Sequence, residues 1–93
     1  MELDDFQHLM QTTYGARDAT RGIPATVAWL AEEVGELARA VRKQTPAEQL
    51  HELADTLAWL ASLANQLGLS LGDAAARYAR GCPRCGHSPC SCP

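Results

Sequence analysis

Val41-Arg42-Lys43-Gln44-Thr45-Pro46-Ala47-Glu48-Gln49-Leu50 closes one helix and opens the next within a few residues. Arg39, Arg42 and Lys43 crowd the end of the first, where cations complement the helix dipole. Thr45 can cap the second, Pro46 suits its first position, and Glu48 completes a capping box. A connection this short makes the two helices antiparallel neighbours. The centre of the fold is therefore expected to be a helical hairpin that turns near residue 44.

The first of these helices is predicted to start near Pro24. It carries Val27, Leu30, Val34, Leu37 and Val41 at the 3-4-3-4 spacing of a core-facing stripe. The second carries Leu50, Leu53, Leu57, Leu60, Leu63 and Leu67, and Gly68 is placed to end it. Ser70 and Asp73 form another capping box and predict a short last helix to about Arg80. Asp4 is expected to cap a first helix, with Gln7 in capping-box spacing and Phe6, Leu9 and Met10 as its stripe. The stretch Tyr14–Gly22, with its two glycines, reads as a loop. The pattern is all-α: a hairpin core with two flanking helices over residues 1–80, then a cysteine-rich tail over 81–93.

A chain of 93 residues is one domain near the lower limit for building its own core. Its aromatic content is only 5%, and an alanine-rich interior buries little area per residue. Oligomerisation into helix bundles, a metal staple, or both are expected to supplement it. The formal charge of -3 and the lack of a basic run argue against general nucleic-acid binding. Met1-Glu2-Leu3-Asp4-Asp5 is acidic without an apolar signal region, and no apolar run reaches membrane length. A cytoplasmic protein with no membrane partner is expected, and there four cysteines point to metal before disulfides.

The sequence is mirrored about the turn. Glu33 falls level with Asp55, Glu36 with Glu52, and Trp29 with Trp59. Within Glu32-Glu33-Val34-Gly35-Glu36 and Glu52-Leu53-Ala54-Asp55, Glu33 pairs with Glu36 and Glu52 with Asp55 on one helix face. Four carboxylates converging in this way repel one another unless hard divalent cations sit between them. Acids on helices are commonly just solvated, and Glu32 can serve that way or pair with Arg39. The set as a whole fits that reading badly, because Glu36, Glu52 and Asp55 are followed at i+4 by Ala40, Thr56 and Trp59, not by cations. Trp29 and Trp59 lie on the same acidic edges. They can wall a pocket and stack on a planar ligand, or serve a core or a subunit interface.

Glu32-Glu33-x-x-Glu36 followed by Glu52-x-x-Asp55 resembles the EExxE…ExxD signature of the MazG-like nucleoside triphosphate pyrophosphohydrolases, an all-α group. The likeness extends over roughly residues 4 to 80 and includes Trp29-Leu30-Ala31-Glu32-Glu33-Val34-Gly35-Glu36-Leu37. It implies Mg²⁺-dependent (or Mn²⁺-dependent) hydrolysis of a (d)NTP to the (d)NMP and pyrophosphate, in nucleotide-pool house-cleaning. It also implies a homodimer or homotetramer with nucleotide pockets near the interface. Glu33, Glu36, Glu52 and Asp55 match the family's metal ligands and would carry the catalysis, and Glu32 matches the leading glutamate of the same Mg²⁺ set. Charge developing on pyrophosphate calls for further cations. Arg17, Arg21, Arg77 and Arg80 are the candidates, and Arg77 and Arg80 are assigned to the substrate together with Trp29 and Trp59. The lysine and asparagine that the family often carries in or just after its last helix have no counterpart, since Lys43 and Asn65 are the only residues of their types.

In the tail, Cys82-Pro83-Arg84-Cys85-Gly86 forms a knuckle and Cys90-Ser91-Cys92 supplies two more thiols. Cys82, Cys85, Cys90 and Cys92 suit a closed tetrahedral Zn²⁺ of structural type, with His87 as the alternative to Cys92. A mobile tail or disulfides are the other readings. The competing expectation for the whole chain is a non-catalytic, zinc-stapled helical interaction module that retains the acidic face.

Overall fold

Thr45 caps its helix as expected: its hydroxyl accepts the Glu48 N–H at 3.3 Å, and Pro46 takes the first position. The computed structural model describes residues 1–93 as four helices without strands. These are α1 (Leu3–Arg21), α2 (Ile23–Lys43), α3 (Pro46–Leu67) and α4 (Leu71–Ala76). Gly68, with φ +69°, ends α3 in the left-handed conformation that a residue without Cβ adopts cheaply. Ser70 caps α4 by accepting the Asp73 N–H at 3.1 Å. The all-α hairpin core with flanking helices is the observed architecture. α3 packs along both α2 and α1, whereas α1 and α2 scarcely touch.

Three expectations are corrected. Residues 14–21 are not a loop, because α1 continues to Arg21 before Gly22 breaks it. A lone glycine such as Gly15 costs a helix only about 1 kcal/mol. Docking on α3 offsets that cost: Asp18 is buried, and Gln66 donates its amide to the Asp18 carbonyl at 2.8 Å. Asp4 is not the cap of α1. The helix begins one residue earlier, and the Ser70 hydroxyl reaches Asp4 across the fold at 3.3 Å. The regular part of α4 stops at Ala76, and the chain then tightens into i→i−3 turns as far as Gly81, a common way for a helix to end.

Gln7 also does something other than capping. Its amide donates to Asn65 Oδ1 (2.9 Å) and to the Leu69 carbonyl (2.7 Å), while its oxygen accepts the Leu71 N–H (2.7 Å). Asn65 donates back to the Gln7 carbonyl at 3.1 Å. One amide pair, the buried Gln7 with the half-buried Asn65, thus ties the start of α1 to the end of α3 and to the entry of α4. Buried amides are stable only when satisfied in this way.

The apolar core is very small. Only 7 of 93 residues are buried, and the apolar ones among them are Ala40, Ala61 and Ala64. The stripes expected to face a core within the chain do so only in part, with Leu30, Leu37 and Leu63 half-buried. Val27, Val34 and Val41 on α2 are exposed, as are Leu50, Leu53, Leu57, Leu60 and Leu67 on α3. The radius of gyration is 15.3 Å, against about 12 Å for a compact chain of this length. The physical reason is arithmetic: with α2 packed almost entirely on α3, a long helix has a whole side that no other helix of the chain covers.

Beyond Arg80 the chain forms no helix. Gly81, at φ +99°, folds the tail against itself, and a Cβ there would lie 2.7 Å from the His87 carbonyl oxygen. The Cys82 N–H donates to that same carbonyl at 3.0 Å, and the Gly86 N–H donates to the Cys82 carbonyl at 2.6 Å. No helix of the chain is long and apolar enough to cross a membrane.

Candidate active site and thiol cluster

The hairpin brings the acids of α2 and α3 together. The Glu33 carboxyl is pushed above its usual 4.5, first by burial, then by the charges of Asp55 and Glu52, a hydrogen bond with Glu52, and the charge of Glu36. Glu52, Asp55 and Glu36 all act on that one carboxyl, so the four acids share one neighbourhood, and of the four Glu52 and Asp55, together with His51, bring their ligand atoms within 4.8 Å of one another. Glu33, Glu52 and Asp55 are half-buried, and Glu36 lies exposed at the mouth. Glu32 is exposed and plays no part in raising Glu33. Hard oxygen donors crowded to the point of mutual repulsion are what a divalent cation of the Mg²⁺ type requires, so the residues fit that ion.

His51 is a member of this group that the sequence reading missed. Its Nε2 lies 3.3 Å from Asp55 Oδ2, and ligand atoms of His51, Glu52 and Asp55 come within 4.8 Å of one another. The signal was available, since His51 sits one turn before Asp55 on α3.

Trp29 and Trp59 meet as the mirrored positions require. Their rings stack with centroids 6.0 Å apart at 13°. The Arg21 guanidinium lies over the Trp59 ring, 4.6 Å from its centroid, in cation–π contact. Trp59 is therefore already engaged, while Trp29 remains 47% exposed. Beside this stack a cavity of about 320 Å³ opens between α1 and α3, lined by Tyr14, Arg17, Asp18, Arg21, Asp55 and Trp59 among others. The extension of α1 that the sequence reading missed supplies four of those side chains. Arg77 and Arg80 are exposed in the turns after α4 and do not line this cavity.

In the tail, the four Sγ atoms of Cys82, Cys85, Cys90 and Cys92 lie within 4.8 Å of one another. Cys82 and Cys92 are 3.7 Å apart, and Cys85 and Cys90 are 3.9 Å apart. A regular tetrahedron of thiolates around zinc, with Zn–S near 2.3 Å, has edges of about 3.8 Å, so the residues fit zinc. Backbone N–H donation from Ser91 and His87 lowers the Cys85 thiol to about 5, and that from Cys85 and Arg84 lowers Cys82. Contacts with Cys90 and Cys82 hold Cys92 up at about 11. His87 is outside the cluster, its Nδ1 hydrogen-bonded to the Ser91 hydroxyl.

With this geometry in view, the comparison with known families is decisive. The family model described as the MazG nucleotide pyrophosphohydrolase domain matches residues 21–84, well over half of the chain. The chain belongs to the MazG family. The matched segment begins at Arg21 and takes in α2, α3, α4 and the start of the cysteine tail as far as Arg84, with Cys82 the one cysteine inside it. Both acidic motifs therefore fall inside the MazG domain, while nearly all of α1 precedes it. No curated protein matches the chain.

Proposed function

We propose that this MazG protein is a Mg²⁺-dependent nucleoside triphosphate pyrophosphohydrolase, with Mn²⁺ able to substitute, that converts a (d)NTP to the (d)NMP and pyrophosphate. The observation that carries this reading is the grouping of Glu33, Glu36, Glu52 and Asp55, in which the Glu33 carboxyl is raised first by burial and then by its acidic neighbours. Glu33, Glu36, Glu52 and Asp55 would hold the metal, with Glu32 at its outer edge. When bound, Mg²⁺ neutralises phosphate oxygens and lowers the cost of deprotonating an attacking water. A carboxylate of the quartet that is not fully committed to metal takes the water's proton. Trp29 offers its open surface to the base, and Trp59 backs it through the stack. Charge on the departing pyrophosphate calls for cations beside the acids; Arg77 and Arg80, expected from the sequence to supply them, do not line the cavity beside Asp55.

The helical domain (1–80) and the tail (81–93) have separate tasks. The thiols of Cys82, Cys85, Cys90 and Cys92 would hold a structural Zn²⁺, since a closed four-thiolate site has no open position for chemistry. The exposed apolar faces of α2 and α3 are covered by a second copy in a homodimer or homotetramer, which acts in the cytoplasm without nucleic-acid or membrane partners. The reading as a non-catalytic interaction module is the weaker one, because membership of a pyrophosphohydrolase family and a convergent acid quartet both favour turnover.

Incubation with a panel of canonical and modified (d)NTPs plus Mg²⁺ is expected to release pyrophosphate. Glu36→Gln and Asp55→Asn should each abolish release while retaining the helical circular dichroism. Absence of turnover across the panel, or undiminished turnover in both variants, would overturn the assignment.

A further inference from the structure

We propose that Arg17 and Arg21 of α1, not Arg77 and Arg80, form the phosphate-binding subsite that receives the pyrophosphate portion of the substrate. This rests on the proposed hydrolysis and names the cations for it. Both side chains line the cavity of about 320 Å³ that also exposes Asp55, a member of the acid quartet. A triphosphate held beside Asp55 would extend its remaining phosphates into that cavity. Arg77 and Arg80 do not line it.

Arg21 is held ready for this task. Its Nη1 donates to Asp18 Oδ1 at 2.7 Å and to the Thr26 hydroxyl at 3.3 Å, and its plane rests over Trp59. Asp18 and Thr26 are both buried, so the anchor is fixed. The Nε–H and the Nη2 group are left without partners, and a guanidinium edge of this kind matches two phosphate oxygens. Arg17 lies one turn earlier on the same helix and forms no ion pair with any acid. Because the Trp59 ring already carries Trp29 and Arg21, Tyr14 is the only other aromatic ring that the cavity lining offers a base. Two cations beside a metal-binding carboxylate suit phosphate instead.

The step balances without a further reagent. Water adds its oxygen to phosphorus, its proton passes to a carboxylate, and the α–β phosphoanhydride bond breaks with the electron pair left on the departing bridging oxygen. The arginines transfer no proton. They neutralise charge on the β- and γ-phosphates before and after cleavage.

The test is calorimetric titration of inorganic pyrophosphate with Mg²⁺ into wild type, Arg17→Gln, Arg21→Lys, Arg77→Gln and Arg80→Gln, alongside KM and kcat. Arg21→Lys retains the charge that Asp18 needs, which protects folding, but loses the fork. The first two variants should bind pyrophosphate roughly tenfold or more weakly, the usual loss of a hydrogen bond to a charged group. The last two should stay within about twofold of wild type. Weakening in the Arg77 and Arg80 variants, with Arg17 and Arg21 variants unchanged, overturns the proposal while hydrolysis stands. Pyrophosphate binding that needs Arg17, in a protein with no turnover on any (d)NTP, would remove the catalytic reading and leave the anion subsite in place.

Discussion

Leu53 measures how far this fold depends on a second copy of itself. It lies in the first half of α3 and is 53% exposed in the single chain. Burying a leucine fully is worth about 1.5–3 kcal/mol, so covering the half still exposed gives about 0.8–1.5 kcal/mol. A two-fold interface uses the same patch on both partners, so Leu53→Ala removes about 1.5–3 kcal/mol per dimer. At about 1.4 kcal/mol per decade, the dissociation constant should rise roughly 10- to 150-fold. Sedimentation velocity over a wide concentration range reads this directly, with circular dichroism confirming that the helices persist. Half of Leu53 is already free of intrachain contact, so the protomer itself should change little. A dissociation constant within twofold of wild type, or a wild type that stays monomeric at millimolar concentration, would refute the reasoning that the exposed stripes form the interface.

Two other outcomes follow from the site and the tail. Because the Glu33 carboxyl lies above its usual 4.5 in the folded chain, the native state holds more protons than the unfolded one between those two values. Stability of Mg²⁺-free protein should therefore fall as pH rises through that window. Glu33→Gln should melt higher than wild type at pH 7 without Mg²⁺, lose that advantage below about pH 4 where the carboxyl is protonated in both states, and gain less from added Mg²⁺; a lower melting point at pH 7 would contradict the crowding. Purified protein should carry about one zinc per chain, and Cys85→Ser should lose it. Zinc uptake near pH 7 should also release protons, Cys92 being a thiol until the metal arrives, as calorimetry in buffers of different ionisation enthalpy would show.

The hairpin was legible because its signals are local. A threonine cap, a proline at the first position and a left-handed glycine act within a few residues, and all three operate as the sequence suggests. The mirrored acids and tryptophans follow once the turn is fixed. The length of α1 was not legible, because what keeps residues 14–21 helical is docking of Asp18 against Gln66, 48 positions away. Gln7 was misread for the same reason: a polar residue near a helix start looks like a cap until Asn65 and Leu71 are seen to claim its amide. The apolar stripes were read correctly as periodicity, but spacing gives the face of a helix and not what covers it. His51 was within reach of the i,i+4 rule through Asp55, whereas the Arg21–Trp59 contact needed side-chain placement that no spacing rule supplies.

The stacked pair Trp29–Trp59 has a practical consequence. These are the only two tryptophans in the chain, and they sit side by side at 6.0 Å within the candidate site. The protein's entire indole emission therefore originates there, with no background from elsewhere. Near-parallel indoles at this separation couple their transitions, so the near-ultraviolet dichroism and the fluorescence of the unlabelled protein are optical probes of one place. Any ligand that slides against Trp29, or draws Arg21 off Trp59, should write its arrival into that spectrum, so that binding can be followed with no dye and no engineered reporter.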